Sequence, residues 1–317
     1  MTTSQDELLP ATRRQLLHRI AVAQAEGRTP SLVAAVVRDG RTVWHGARTS
    51  VEGHGPDENV QYRIGSITKT FTAVLVLRLR DEGLLDLGDP LEKHLPGTGA
   101  GEATIAELLA HSGGLAAESP APWWERTPGS LRPELADVLG KQPFLHPVGR
   151  RHHYSNPGYT LLGALVAQVR GASWEEVLRR EVLEPLGLHR TSTRPSDPHA
   201  GGWAVHPWAD VMLPEPAEDL GRMAPAGQLW STTGDLARFA VFRRRGTTAS
   251  SAPTPCGRCA RLPPRWRPPT SRTARRTDWD SRSSTGTGVC SWGTPAPCPA
   301  SWPTSPSPWT TTSPRWC

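Results

Sequence analysis

The first 242 residues of this 317-residue chain contain no cysteine; all five (Cys256, Cys259, Cys290, Cys298 and Cys317) lie in the last quarter. The larger part therefore offers no disulfide and no thiolate ligand, and it carries no signal of redox compartment. Lysine is nearly as scarce, at Lys69, Lys93 and Lys141 only. No apolar run approaches the ~20 residues that a membrane-spanning helix needs. The opening ten residues are polar, and the helical stretch after them carries Arg13, Arg14, His18 and Arg19. No secretory leader is read there, so a cytoplasmic location is expected. No metal-ligand spacing stands out before residue 242, and neither a metal nor a cofactor is expected.

The last quarter lacks more. From residue 246 onward there is no Ile, Phe, Tyr, Met, Lys, Glu, Asn, Gln or His, yet six of the thirteen tryptophans fall there. Too few aliphatic residues remain to build a core, and neither a two-residue nor a 3.6-residue period persists. By composition, residues 243–317 form a basic, low-complexity Arg/Pro/Ser/Thr/Trp tail, set apart from a domain over residues 10–242. Charge divides the same way. Twelve arginines against Asp278 and Asp280 give the tail +10, so a whole-chain charge of +6 leaves residues 1–242 at −4. The positive charge belongs to the tail, and neither nucleic acid nor membrane is expected as a partner. Cys256 and Cys259 are a lone pair with no histidine nearby in sequence, which makes neither a metal nor a redox site.

What is present is a Ser-x-x-Lys step. Gly65-Ser66-Ile67-Thr68-Lys69 leads into the apolar stretch Thr70-Phe71-Thr72-Ala73-Val74-Leu75-Val76-Leu77. Three residues make about one helical turn, so Ser66 and Lys69 share a helix face. A serine hydroxyl needs an adjacent base to act as a nucleophile, and burial under an apolar helix lowers a lysine's pKa toward that task. Ser and Lys also fall three apart on ordinary solvated helices, so the step alone fits either reading. Tyr154-Ser155-Asn156-Pro157-Gly158 precedes a second apolar helix over residues 159–169, which places its polar side chains in a loop before a helix start. Tyr154 also fits an ordinary half-buried tyrosine, and Asn156 before Pro-Gly is a good turn residue. His111-Ser112-Gly113-Gly114-Leu115 closes an amphipathic stretch over residues 104–110, where His111 reads as capping or packing a helix end. Arg150-Arg151-His152-His153 reads as an exposed, charged loop entry.

In this order, these motifs resemble the penicillin-recognising serine hydrolases: class C β-lactamases, D-alanyl-D-alanine carboxypeptidases and related esterases. The segments Asp81-Glu82-Gly83-Leu84-Leu85-Asp86-Leu87-Gly88-Asp89-Pro90-Leu91 and Gly227-Gln228-Leu229-Trp230-Ser231-Thr232 extend the resemblance over residues 10–242. It implies that Ser66 attacks a carbonyl carbon to form an acyl-enzyme, and that Lys69 takes the Ser66 proton or holds the network that does. It implies that Tyr154 relays protons to the leaving group and that Asn156 binds the acylamino part of a substrate and the lysine. The Ser66 N–H would form half of an oxyanion hole. The implied partner is a small ester, amide, β-lactam or peptide; the oligomeric state is not readable. The implied fold is α/β in the α+β sense, a central antiparallel sheet flanked by helices plus an all-helical subdomain.

The family's third motif, a His-x-Gly triad on a sheet strand, is missing. Shifting the tail's frame by two bases gives each new codon its last two bases from the first two of a visible codon. Residues 292–302 then permit G-H-P-G-S-M-P-G-F-L, which restores the triad, and the same offset gives helix-, strand- and turn-like sequence elsewhere in the tail. The tail therefore reads as a frameshift with its break near residues 242–246, leaving the sheet incomplete with an unpaired edge. The chain as written is expected to be impaired. Its alternative to a working hydrolase is a catalytically inactive relative, a pseudogene product or a fold kept for binding. Upstream, residues 12–27 read as a helix, and residues 31–37 and 41–47 as a hairpin turning at Asp39-Gly40. Helices are expected to dominate to about Leu186, residues 203–225 read as a proline-broken loop, and residues 236–242 begin another helix.

Overall fold

The computed structural model describes residues 8–120, 133–209, 211–216 and 218–249. The cysteines, the shifted frame and nearly all of the expected tail lie outside the described residues. Helix α1 (Pro10–Glu26) begins with proline in its first turn, where a missing N–H costs nothing. Strands β1 (Ser31–Arg38) and β2 (Arg41–Thr49) form the expected antiparallel hairpin. Asp39 and Gly40 connect them with φ of 49° and 84°, the two positive values that a type I′ turn demands. Further along, β3 (Tyr62–Arg63) pairs antiparallel with β6 (Trp230–Ser231), and β4 (Gly202–Val205) with β5 (Met212–Glu215). Among the described residues β1 pairs with β2 alone, so its other edge carries no strand there. Helices α1 and α8 (Thr233–Ala249) pack on this hairpin.

The remaining helices form the other part of the fold. Among the described residues the α-helices here are α2 (Thr68–Asp81), α3 (Ile105–Leu109), α4 (Leu135–Val138), α5 (Asn156–Arg170), α6 (Trp174–Leu178) and α7 (Ala224–Gly227). Helix α2 buries Phe71, Leu75 and Leu79, each four residues on from the last, so they line one stripe. That stripe joins one core with Leu161, Leu162 and Leu165 of α5, and the Phe239 ring of α8 lies flat on Phe71 with centroids 3.8 Å apart. Each such side chain contributes about 1.5–3 kcal/mol of burial. This core fixes the position of α2, whose first turn carries the Ser-x-x-Lys step. Helix α5 approaches α7 closely because residue 163 is glycine: a Cβ there would meet the Pro225 ring at 2.1 and 2.4 Å.

Three sequence expectations need correction. The second apolar helix starts at Asn156, not Tyr159, because Ser155 is its N-cap: the Ser155 Oγ accepts the Gly158 N–H, and Pro157 sits in the first turn. Residues 203–225 are not a plain loop. They hold most of the β4–β5 hairpin and the start of α7; Pro214 sits in a β-strand opposite Trp203, and its proline hid the strand from view. Among the described residues between α2 and α5, helices also do not dominate: the helices there are short and set between turns, since Gly83, Gly97, Gly99 and Gly114 adopt positive φ and break each run.

Candidate active site

Ser66 lies in a 3₁₀ turn, Gly65–Ile67, that runs directly into α2, and it is exposed. The turn is held from behind. The Ile64 N–H donates to the Leu229 carbonyl (2.8 Å), and the Thr68 hydroxyl accepts the Leu229 N–H (3.1 Å). Lys69, one turn further along the same face, is 4% exposed. A buried ammonium needs partners. It donates to Asn156 Oδ1 (2.5 Å), to the Ala226 carbonyl (2.7 Å) and to Ser66 Oγ (3.1 Å), which uses three donors on three acceptors. Its Nζ also sits 4.8 Å from the centre of the Tyr154 ring and 5.8 Å from that of Tyr159.

Tyr154 reaches Ser66 from the open side: its hydroxyl donates to Ser66 Oγ at 2.7 Å, and the residue is 39% exposed. The structure thus brings all four sequence-identified residues, Ser66, Lys69, Tyr154 and Asn156, into one hydrogen-bonded cluster. The segment carrying the last two is laced to the loop around residues 111–118. The His153 N–H donates to the His111 carbonyl, the Ser155 N–H to His111 Nδ1, the Ser155 hydroxyl to the Ala116 carbonyl and the Asn156 N–H to the Ala117 carbonyl. That loop turns tightly at Gly114 (φ +73°), where a Cβ would lie 2.2 Å from the His146 carbonyl oxygen.

His111 does more than pack a helix end. Its ring stacks on Tyr154 with centroids 4.4 Å apart and lies 5.0 Å from Tyr159. Burial pushes its pKa down to about 4, helped by the positive charges of Lys69 and His152. It is neutral near pH 7, and with Nδ1 accepting from Ser155 the ring proton rests on Nε2. His152 is exposed as expected, whereas His153 is half-buried and packs edge-on against His146.

Two contributors escaped the sequence reading. The Ala226 carbonyl is a backbone group that any residue would supply, so no side-chain signal marks it. Glu118 holds the far end of the Asn156 side chain: Asn156 Nδ2 donates to both carboxylate oxygens, at 2.8 and 2.9 Å. This contact sets the amide's orientation, turning Oδ1 toward Lys69. Among the described residues no cluster of His, Cys, Asp or Glu is arranged to hold a metal ion, and no helix is long and apolar enough to cross a membrane.

A helix-flanked antiparallel fold with an exposed serine at the start of a core helix, met by a buried lysine, defines the serine β-lactamase and penicillin-binding class. Residues 16–308 match the family model described as Beta-lactamase, and the chain belongs to that family. The chain is 29% identical over 230 residues to Beta-lactamase-like protein 2 of Dictyostelium discoideum, covering 67% of this chain and 42% of that protein. It is 29% identical over 247 residues to Penicillin-binding protein 4 of Amycolatopsis lactamdurans, covering 73% and 64%. It thus spans less than two-thirds of the length of either. Among solved structures, the D-stereospecific amidohydrolase from a Streptomyces species matches with a TM-score of 0.59 and 29% identity, over 74% of this chain and 72% of that one.

Proposed function

We propose that the chain is a serine hydrolase that cleaves an ester or amide through an acyl-enzyme on Ser66. One observation carries this reading: an exposed serine oxygen receives two hydrogen bonds, from Tyr154 at 2.7 Å and from Lys69 at 3.1 Å. Ser66 Oγ attacks the substrate carbonyl carbon once one of its two neighbours has lost a proton, Lys69 as the free amine or Tyr154 as the phenolate. That group takes the Ser66 proton, the bond to the leaving group breaks, and water then resolves the acyl-enzyme. Lys69 is buried behind the serine, so delivery of a proton to the departing group falls to Tyr154, which opens to solvent. Asn156 holds the lysine in place through Oδ1. Family membership supports the hydrolase level of this reading, and the Streptomyces match, named for its amidohydrolase activity, supports amides among the substrates.

The test is covalent labelling of the full chain with a fluorescent penicillin or a fluorophosphonate. A labelled band that Ser66→Ala abolishes is the expected result. A folded protein that resists both probes would favour the second reading, an inactive relative. That alternative rests on the absence of histidine after residue 245, which leaves the His-x-Gly triad missing from the chain as written.

A further inference from the structure

Helix α3 ends on a histidine where the backbone favours glycine. The Ser112 N–H donates to the Glu107 carbonyl (2.8 Å) and the His111 N–H to the Leu108 carbonyl (3.2 Å), the paired bonds that close a helix through a left-handed residue. His111 is that residue, with φ of 55°, a conformation that strains any residue carrying a Cβ and leaves glycine unstrained. What holds the histidine there also bears on Tyr154. The His111 carbonyl accepts the His153 N–H at 2.7 Å, and its Nδ1 accepts the Ser155 N–H at 3.1 Å. The residues before and after Tyr154 therefore hang from one histidine. Between these two bonds the imidazole lies on the Tyr154 ring, with centroids 4.4 Å apart and planes 29° from parallel. Tyr154 is exposed on a loop, and this grip sets the ring whose hydroxyl meets Ser66 Oγ.

We propose that His111 is a positioning residue for the hydrolase site: as a neutral ring it clamps Tyr154 against Ser66, and on taking up a proton it opens the clamp. This deepens the hydrolase reading and rests on it. Nδ1 accepts a hydrogen bond only while it carries no proton. Protonation makes it a donor facing the Ser155 N–H, so that bond is lost and two N–H groups oppose each other. Among the described residues, the charged and titratable groups facing the ring are Lys69 of α2, His152 and Tyr154 of the adjoining loop, and Tyr159 of α5. Burial resists the proton first, and positive charge on Lys69 and His152 adds to it, which keeps the clamp closed down to about pH 4. The strained backbone is thus tolerated for a side chain that glycine could not supply.

The test compares variants of the full chain by their rate of acylation with p-nitrophenyl acetate near neutral pH. His111→Gly suits the left-handed backbone and so keeps the fold, but it removes the ring and the Nδ1 acceptor. Its acylation rate is expected to fall about 10- to 100-fold. His111→Asn tolerates the same backbone and offers Oδ1 to the Ser155 N–H, so it should recover part of that loss, about 3-fold or more. Within Tyr154→Phe, adding His111→Gly should change the residual rate by less than about 3-fold, because the clamp acts only through the phenol. A His111→Gly rate within about 3-fold of the parent, or a loss that persists in full within Tyr154→Phe, overturns the proposal. A second arm needs no turnover. In Ser66→Ala the Tyr154 ring signals, followed by NMR as the pH is lowered from neutral, should move with a midpoint of about 4 shared with His111, and His111→Asn should abolish that step. Tyr154 signals that ignore the His111 titration overturn the proposal as well. Failure of the parent chain to acylate at Ser66 strikes the hydrolase reading, and the NMR arm then decides the clamp on its own.

Discussion

Gly163→Ala sets two effects of opposite sign against each other. In a helix interior, alanine for glycine stabilises by roughly 1 kcal/mol, because the unfolded chain loses freedom. At residue 163 the added Cβ would sit 2.1 and 2.4 Å from two carbons of the Pro225 ring, more than 1 Å inside normal contact. Neither side yields easily. Pro225 is a rigid ring on α7, which is tied to α2 by the Thr72 hydroxyl donating to the Pro225 carbonyl at 2.9 Å. Overpacking costs about 1–3 kcal/mol, and a clash this deep against a rigid ring falls in the upper part of that range, about 2–3 kcal/mol, so the net change is a loss of about 1–2 kcal/mol. For a domain of this size that corresponds to a melting point lowered by roughly 2–8 °C. Gly158→Ala on the same helix is the control: its Cβ meets Ser155 and Leu115 at 3.5–3.7 Å, ordinary contact, so only the propensity gain of about 0.5–1 kcal/mol remains. Thermal unfolding of the two variants, read by circular dichroism, should move in opposite directions. If Gly163→Ala raises the melting point as Gly158→Ala does, the close approach of α5 and α7 is refuted. The displaced α7 also carries the Ala226 carbonyl that anchors Lys69, so Gly163→Ala should slow Ser66 acylation as well.

Tyr154→Phe removes the 2.7 Å contact on Ser66 from an exposed position, so acylation by an activated ester should fall about 10²–10⁴-fold with little change in melting point; equal rates would remove Tyr154 from the proton path. Thr68→Val leaves the buried Leu229 N–H without its acceptor and should cost about 1–3 kcal/mol in urea unfolding, a figure that a near-neutral result would contradict. His111 takes up its proton near pH 4 when folded but near 6.5 when unfolded, so the unfolded state binds more protons between those values. Its contribution to stability is therefore full above about pH 6.5 and is lost as pH falls toward 4. Discounted for a ring half open to water, that loss is about 1 kcal/mol, and it should disappear from the pH dependence in His111→Gln. A His111 ring that titrates at 6.5 or above by NMR would refute the assignment.

The features legible in the sequence were those set by neighbours along the chain. The Asp39-Gly40 turn follows from which residues tolerate positive φ, and the shared face of Ser66 and Lys69 follows from the helical period. The Ser155 cap obeyed an equally local rule, but Pro157-Gly158 read as a turn and moved the expected helix start three residues late. Tyr154 and Asn156 were found only because several motifs occur together in a known order; by composition alone each suited a bland surface or turn role. What tertiary structure decided is the set of partners. Lys69 meets Asn156 across 87 residues and Ala226 across 157, and Glu118 meets Asn156 across 38. No periodicity encodes such distances, and a backbone carbonyl looks the same at every position. The approach of α5 to α7 is likewise invisible from Gly163 alone, since a helical glycine reads as a defect until the Pro225 ring is seen against it. Local propensity determined which segments could offer a nucleophile and a lysine. Close packing of distant segments decided which groups surround them, because only the folded core brings those segments within hydrogen-bonding distance.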